Sequence, residues 1–105
     1  MQDPIKELLR ETTLKNCNDH HSFVFVNGKR ANNLMDFAKT IATLQDHEFR
    51  HHVSQDGNKN HFATWVHHIF NNPYLARDLG YTNNLQSKTQ MAKTICHHVN
   101  WLNRE

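Results

Sequence analysis

The spacing of the large apolar side chains constrains this chain more than any other feature. They recur three and four positions apart, which is the period of an α-helix with one buried face. The clearest stripes are Leu34, Phe37, Ala38, Ile41 and Leu44, then Phe62, Trp65, Val66, Ile69 and Phe70, and lastly Leu85, Ala92, Ile95, Val99 and Leu102. The pattern predicts a mainly α fold of five or six short helices.

The first and last helices are predicted from local signals at the two ends of the chain. Pro4 is expected to begin the first helix with Asp3 as its N-cap, because both residue types are favoured at these positions. The last helix is expected from about Asn84 to Leu102. A chain of 105 residues has the size of one domain, so residues 1–105 are predicted to fold together. The expected apolar face of the first helix is Ile5, Leu8, Leu9 and Thr12.

One short segment has the composition of a β-strand. In residues 22–26, Phe23 and Phe25 alternate with valines, and Asn27 and Gly28 follow. An Asn-Gly pair favours a tight turn with positive φ, so the sequence predicts one small β-hairpin near residues 22–31. Two short strands are not stable alone, and we expect the hairpin to pack on helices.

Polar residues at helix starts divide the centre of the chain. Asn33 is the predicted N-cap of the helix that carries the first stripe, and Asp46 is that of a short helix after it. A loop is expected at residues 55–59, with a further helix from about Asn60 and another from Pro73. The predicted core comprises Phe37, Ile41, Leu44, Phe49, Phe62, Trp65, Phe70 and Tyr74.

Basic residues are spread along the chain rather than concentrated. Twelve Lys and Arg oppose ten Asp and Glu, for a formal net charge of +2. Domains that bind nucleic acids usually collect their positive charge on one face or helix. We therefore retain weak nucleic-acid binding only as an alternative, through Lys29, Arg30, Arg50 and Lys59.

Cysteine usage and hydropathy indicate the compartment. Cys17 and Cys96 lie far apart without CxxC spacing, which favours two free thiols in a reducing environment over a disulfide. The first residues lack the basic and apolar regions of a signal peptide, and no apolar run approaches the length of a membrane span. We expect a cytoplasmic protein without membrane association.

A series of residues keeps a recognisable order and spacing between positions 25 and 79. It comprises Phe25, Gly28, Leu34, Phe49, His52, Val53, Asn60, Phe62, Ala63, Trp65, Val66, Leu75, Ala76 and Leu79. The series resembles the DUF5752 family, prokaryotic domains of unknown function, and the first and last helices lie outside it. Two acidic positions of that family are His61 and His68 here, so a role that depends on those acids is altered. The resemblance implies a fold and a site location, and no activity.

The polar residues around the predicted loop are the first site candidates. His52 precedes the loop, Asn60 follows it, and Trp65 lies just over one helical turn beyond Asn60. If the flanking helices pack antiparallel, the three side chains converge, and they could bind a small polar ligand or a peptide against Trp65. The alternative is that His52 and Asn60 cap helix ends and brace the loop, with Trp65 in the core.

Ten histidines suggest a possible metal site. His47 and His51 are four residues apart on one helix face, and His52 and His61 could add ligands. Zinc favours three or four ligands such as neutral imidazoles, so zinc at these four histidines is an alternative. Adjacent histidines diverge by about 100° on a helix, however, and the sequence contains no metal-binding motif. No cofactor is therefore predicted.

Catalytic groups are harder to find in this sequence. Cys96 adjoins His97, but adjacent residues of a helix point apart, and no third group is suggested to orient them. The sequence also lacks paired carboxylates and a glycine-rich phosphate loop. We assign no catalytic residue and do not expect an enzyme.

The last helix offers a different kind of site. Trp101 lies beside its apolar stripe and is a candidate for an exposed apolar contact. The sequence thus favours a small interaction or regulatory module that binds a protein partner or itself. The alternatives are a metal- or small-ligand-binding protein and a weak nucleic-acid binder.

Overall fold

The computed structural model describes residues 4–54, 59–80 and 88–104, and the mainly α fold class is confirmed. The elements are α1 Pro4–Thr13, a 3-10 turn Asp19–His21, β1 Phe23–Val24, β2 Arg30–Ala31, α2 Leu34–Thr43, α3 Asp46–His52, α4 His61–Phe70, α5 Pro73–Gly80 and α6 Lys88–Asn103. The predicted cap at Asp3, most of the predicted 55–59 loop and the predicted helix start at Asn84 lie outside the described residues. None of the described helices is long and apolar enough to cross a membrane.

The predicted hairpin is confirmed. Its strands pair antiparallel, with Phe23 opposite Ala31. The Phe25 N–H donates to the Lys29 carbonyl at 2.8 Å and closes the turn. Gly28 has a φ of +88°, in the left-handed region that glycine adopts without strain. The Asn-Gly signal therefore located the turn correctly.

The central helices also follow the predicted pattern. The Asn33 side chain caps α2 by accepting a hydrogen bond from the Asp36 N–H at 2.8 Å. The helix packs along α6, and α4 packs against α5. The predicted stripe of α2 is buried in full, and it comprises Leu34, Phe37, Ala38, Ile41 and Leu44.

Aromatic rings from the hairpin and the helices form the centre of the core. The Phe37 ring lies 4.6 Å from that of Trp65 and 5.4 Å from that of Phe62, measured between centroids. Phe23 brings the hairpin into this cluster, 5.2 Å from Phe37. Edge-to-face and tilted contacts at such distances add to the stabilisation from burial alone. The hairpin is therefore part of the core.

The buried face of α1 differs from the predicted one. Leu9 and Thr13 are buried, whereas Ile5 is 50% and Leu8 61% exposed. The prediction that Ile5 and Leu8 belong to the core-facing stripe is therefore wrong. The helix is rotated about its axis relative to the orientation that its apolar spacing predicts.

Two cations explain this rotation of α1. The Lys6 ammonium donates to the Arg104 carbonyl at 2.7 Å, and the Arg10 Nε–H donates to the Leu102 carbonyl at 2.7 Å. These carbonyls belong to the last turn of α6 and to the residue after it, where carbonyls lack partners within the helix and the helix dipole is negative. Because Lys6 and Arg10 face α6, Ile5 and Leu8 turn towards solvent.

The start of α3 requires a smaller correction. Its N-cap is Gln45 rather than Asp46, which is the first helical residue. The Glu48 carboxylate accepts a hydrogen bond from the Gln45 N–H at 2.8 Å, as in a capping box. The helix therefore starts one residue earlier than predicted.

Candidate functional site

His52 lies at the end of α3 and only 4% of its surface is exposed. Its Nε2 accepts a hydrogen bond from the Val26 N–H at 3.1 Å, and its Nδ1 lies 3.1 Å from Nδ1 of His61. The aromatic rings around it, with centroids 5.1 to 5.9 Å away, are Phe23, Phe25 and Phe62. The side chain thus joins the hairpin, α3 and the start of α4.

The contact with Val26 determines the tautomers of both imidazoles. A backbone N–H can only donate, so Nε2 of His52 carries a lone pair and its Nδ1 carries the hydrogen. Nδ1 of His61 accepts that hydrogen, which leaves the His61 hydrogen on Nε2. We call His52 and His61 in this arrangement the histidine pair.

The surroundings keep the histidine pair uncharged near neutral pH. Burial, followed by the charges of His51, His61 and Lys59, lowers the pKa of His52 to about 4. Burial also lowers the pKa of His61, and Lys59 and His51 act in the same direction. Protonation at Nε2 of His52 removes the acceptor for the Val26 N–H.

The structure brings together only some of the predicted zinc ligands. The ring of His51 lies 5.0 Å from His52 and 6.2 Å from His61, and His47 is exposed one helical turn before His51. Both ring nitrogens of His52 are engaged, so metal coordination has to displace one of its hydrogen bonds. Within the described ranges, no group of three or more His, Cys, Asp or Glu side chains is placed to hold a metal ion. The zinc hypothesis gains no support from this geometry.

Asn60 and Trp65 also direct their polar groups inward. The Asn60 Oδ1 accepts from the Ala63 N–H at 3.0 Å and caps α4, while its Nδ2 donates to the Leu79 carbonyl at 3.0 Å. Trp65 is 9% exposed, and its indole N–H donates to the His21 carbonyl at 2.7 Å. These contacts favour the alternative in which the two side chains brace the fold.

The predicted nucleic-acid residues have different environments. Lys29, Arg30 and Lys59 are exposed. Arg50 is half-buried, with its guanidinium carbon 5.3 Å from the centroid of the Phe49 ring, and its Nη1 is buried without a hydrogen-bond partner. The four cations therefore do not form one exposed stripe, and nucleic-acid binding stays a prediction.

A groove of about 340 Å³ opens between α1, α5 and α6. Trp101 is half-buried in its wall. Tyr74 was predicted in the core, but it is 42% exposed and lines the groove, because α5 buries its opposite face. We call this site the terminal groove, and its wall residues are Ile5, Leu9, Tyr74, Asp78, His98 and Trp101.

Trp101 connects the terminal groove to α1. The Lys6 ammonium lies 5.0 Å from the centroid of the Trp101 ring, within the range of a cation–π interaction. The His98 ring lies 5.5 Å from the same ring. Leu8 is one helical turn beyond Ile5 and extends the exposed apolar surface beside the groove.

A polar network that sequence reasoning missed joins the three helices around the terminal groove. The buried Asn72 amide donates from Nδ2 to the Thr13 hydroxyl at 3.0 Å and to Nε2 of His98 at 2.9 Å. Its Oδ1 accepts from the Leu75 N–H at 3.0 Å and caps α5. The available signal was the Asn72-Pro73 sequence, which is typical of an N-cap followed by the first helical residue.

His98 is held largely neutral by this environment. Burial lowers its pKa, and the Asp78 charge acts in the opposite direction. Because Nε2 accepts from Asn72, the ring hydrogen of the neutral form is on Nδ1. His98 thus differs from His52 in lining an open groove.

Comparison of this chain with protein-family models, with curated proteins and with solved structures finds no match. The resemblance to the DUF5752 family stays a prediction from the sequence.

Proposed function

We propose that this protein is a small interaction module that binds a protein partner through the terminal groove. The observation that carries the proposal is the grouping of exposed apolar side chains there. Ile5 is 50% exposed, Leu8 61% and Tyr74 42%. Exposed aliphatic and aromatic side chains around a concave surface are typical of protein-binding sites.

Two other hollows of comparable size support the proposal less well. One, of about 390 Å³, has Asn16, Asn33 and Asp36 in its wall, and the Asn33 amide donates hydrogen bonds to the other two side chains. Another, of about 380 Å³, carries His67 and His68. Of the three, the terminal groove has the Trp and Tyr side chains that are enriched where binding energy concentrates.

The test compares two double variants of matched exposure. Ile5→Ser with Leu8→Ser removes the apolar rim of the groove. Val24→Ser with Val26→Ser changes two valines in and beside β1 that are 51% and 48% exposed. We expect the wild type and the hairpin variant to co-purify the same partner from source cells, and the groove variant to lose it. The measurement is quantitative mass spectrometry, followed by calorimetry with the purified partner.

Self-association is measured on the same proteins. Sedimentation of the wild type across a concentration range detects a dimer, and the groove variant should be monomeric if the groove forms its interface. The proposal is contradicted if both double variants retain the same proteins equally. It is also contradicted if the wild type purifies alone and sediments as a monomer.

We further propose that the protein works in a reducing compartment, the cytoplasm. Support comes from Cys17 and Cys96, which are free and half-buried thiols. Burial, assisted by Asp19, raises the pKa of Cys17 and so lowers the fraction of reactive thiolate. Rapid alkylation of lysed cells should find both thiols reduced, and an oxidised thiol at either position would argue against this compartment.

A further inference from the structure

Among the wall residues of the terminal groove that the structure describes, Asp78 carries the charge, and the Lys6 ammonium lies beside Trp101. The Asp78 carboxylate is about half exposed, and the other described wall residues are apolar side chains and His98, whose pKa burial lowers. The Asp78 charge acts on His98 and favours its protonated form. The field of this carboxylate therefore reaches a ring that lines the groove, where it favours a positive charge.

The aromatic side chains of the groove wall are also suited to binding a cation. The Lys6 ammonium already lies 5.0 Å from the centroid of Trp101, so this indole contacts a cation within the protein itself. Lys6 is held there by its hydrogen bond to the Arg104 carbonyl at 2.7 Å. Aromatic faces attract ammonium and guanidinium groups through their quadrupole.

The contact between Asp78 and Arg77 is exposed and leaves part of the carboxylate accessible to a second cation. The Arg77 Nε lies 3.8 Å from the Asp78 Oδ1, and the two side chains are 66% and 49% exposed. Exposed ion pairs of this kind contribute little to stability, because water screens them and both side chains lose freedom. A basic residue of a partner can share or replace this contact at small cost.

We propose that the terminal groove takes up a lysine or arginine side chain of a protein partner, with its charged head at Asp78 and its aliphatic stem on Trp101 and Tyr74. Long basic side chains bury their methylene groups on apolar surfaces while the charged head stays at a polar rim. The wall provides both parts of that surface. This inference rests on the proposed function, and it specifies the chemistry that the groove recognises.

The experiment adds three small probes to the isotope-labelled full chain and monitors binding by nuclear magnetic resonance. The pH is about 7.5, where His52, His61 and His98 are mostly neutral because burial lowers their pKa values. The probes are n-butylammonium, n-butanol and pentanoate, which share an aliphatic stem and differ in charge. The Trp101 indole N–H reports binding, and the buried Trp65 indole serves as an internal reference. We expect saturable shifts at Trp101 with n-butylammonium, with affinity about fivefold higher than for n-butanol, and the weakest binding for pentanoate.

Two variants test the role of the carboxylate. Asp78→Asn should abolish the preference for n-butylammonium over n-butanol. Asp46→Asn should preserve it, because the Asp46 side chain is 99% exposed on α3, outside the groove wall. Thermal melts of both variants check that the fold is retained.

Three outcomes overturn the inference. Equal affinity for n-butylammonium and n-butanol means that the groove recognises apolar groups alone, which leaves the proposed function intact. Shifts at Trp101 that depend on protein concentration without any probe mean that a second copy of the chain occupies the groove. Absence of any shift at Trp101 excludes uptake of a basic side chain, and the co-purification experiment then decides the proposed function independently.

Discussion

The histidine pair and the terminal groove each contain a histidine whose pKa is lowered by burial, but the two rings are enclosed differently. His52 uses both ring nitrogens in contacts with Val26 and His61, and aromatic side chains surround it. His98 accepts from Asn72, while its ring also lines a groove of about 340 Å³. A largely neutral histidine can therefore lie in a packed core, as His52 does, or in the wall of an open groove, as His98 does.

The different enclosure has a structural cause. The hairpin places Phe23 and Phe25 over His52, so this ring is enclosed, while His61 beside it is exposed. At the other site α1 is held by Lys6 and Arg10 on the end of α6, and its apolar residues do not fill the groove. His52 is therefore stabilised by packing on the hairpin, and the terminal groove keeps an exposed apolar surface.

The largest expected effect comes from breaking the histidine pair. His52→Ala leaves the Val26 N–H without its acceptor and creates a cavity among aromatic rings, so we expect the free energy of unfolding to fall by about 2–4 kcal/mol. Urea denaturation measures this change. His47→Ala on the same helix is the control, with a change within about 0.5 kcal/mol. A His52→Ala protein as stable as the wild type would show that the pair is not architectural.

Acid should destabilise the fold through His52 of the same pair. The pKa of His52 is about 4 when folded and near 6.5 when unfolded, so between these values the unfolded state binds more protons. Stability is therefore complete above about pH 6.5 and falls as the pH drops towards 4, by at most about 1.4 kcal/mol per pH unit for each proton. His98, whose pKa is also lowered, contributes in the same direction.

Denaturation curves at successive pH values measure this acid dependence in the wild type and in His52→Asn, which cannot titrate at that position. The variant should show a shallower decline, whereas the exposed control His20→Asn should follow the wild type. Equal slopes in all three proteins would assign the acid sensitivity to other groups.

The smallest expected effect on stability concerns the terminal groove. Tyr74→Ser should change the free energy of unfolding by less than about 1 kcal/mol, because the side chain is 42% exposed, yet it should weaken partner binding. Met35→Ser is the control, since Met35 is 39% exposed outside the groove wall. Urea denaturation and calorimetry with the partner measure the two quantities. A large loss of stability in Tyr74→Ser would show that the Tyr74 side chain stabilises the fold.

Much of the fold follows from short-range patterns. The Asn27-Gly28 turn, the Asn33 cap and the buried stripe of α2 each depend on residues within a few positions of one another. Their physical determinants are backbone conformation, capping and the period of the helix. Such features can be read from the sequence because they do not depend on which element packs alongside.

The candidate site was harder to predict, because it depends on which elements pack side by side. The sequence places Trp101 beside an apolar stripe, but the groove that it lines requires α1, α5 and α6 together. Asn72 joins Thr13 and His98, which are 59 and 26 residues away in the chain. No local pattern specifies such pairings.

Local hydrogen bonding and the spacing of apolar residues act within each element, so the helices, the hairpin and most of the core follow from the order of the amino acids. Packing between elements sets the rotation of α1, the exposure of Tyr74 and the tautomers of the histidine pair. Each of these depends on a contact between distant elements, such as Arg10 with the Leu102 carbonyl or His52 with the Val26 N–H. Their partners are chosen only when the chain packs.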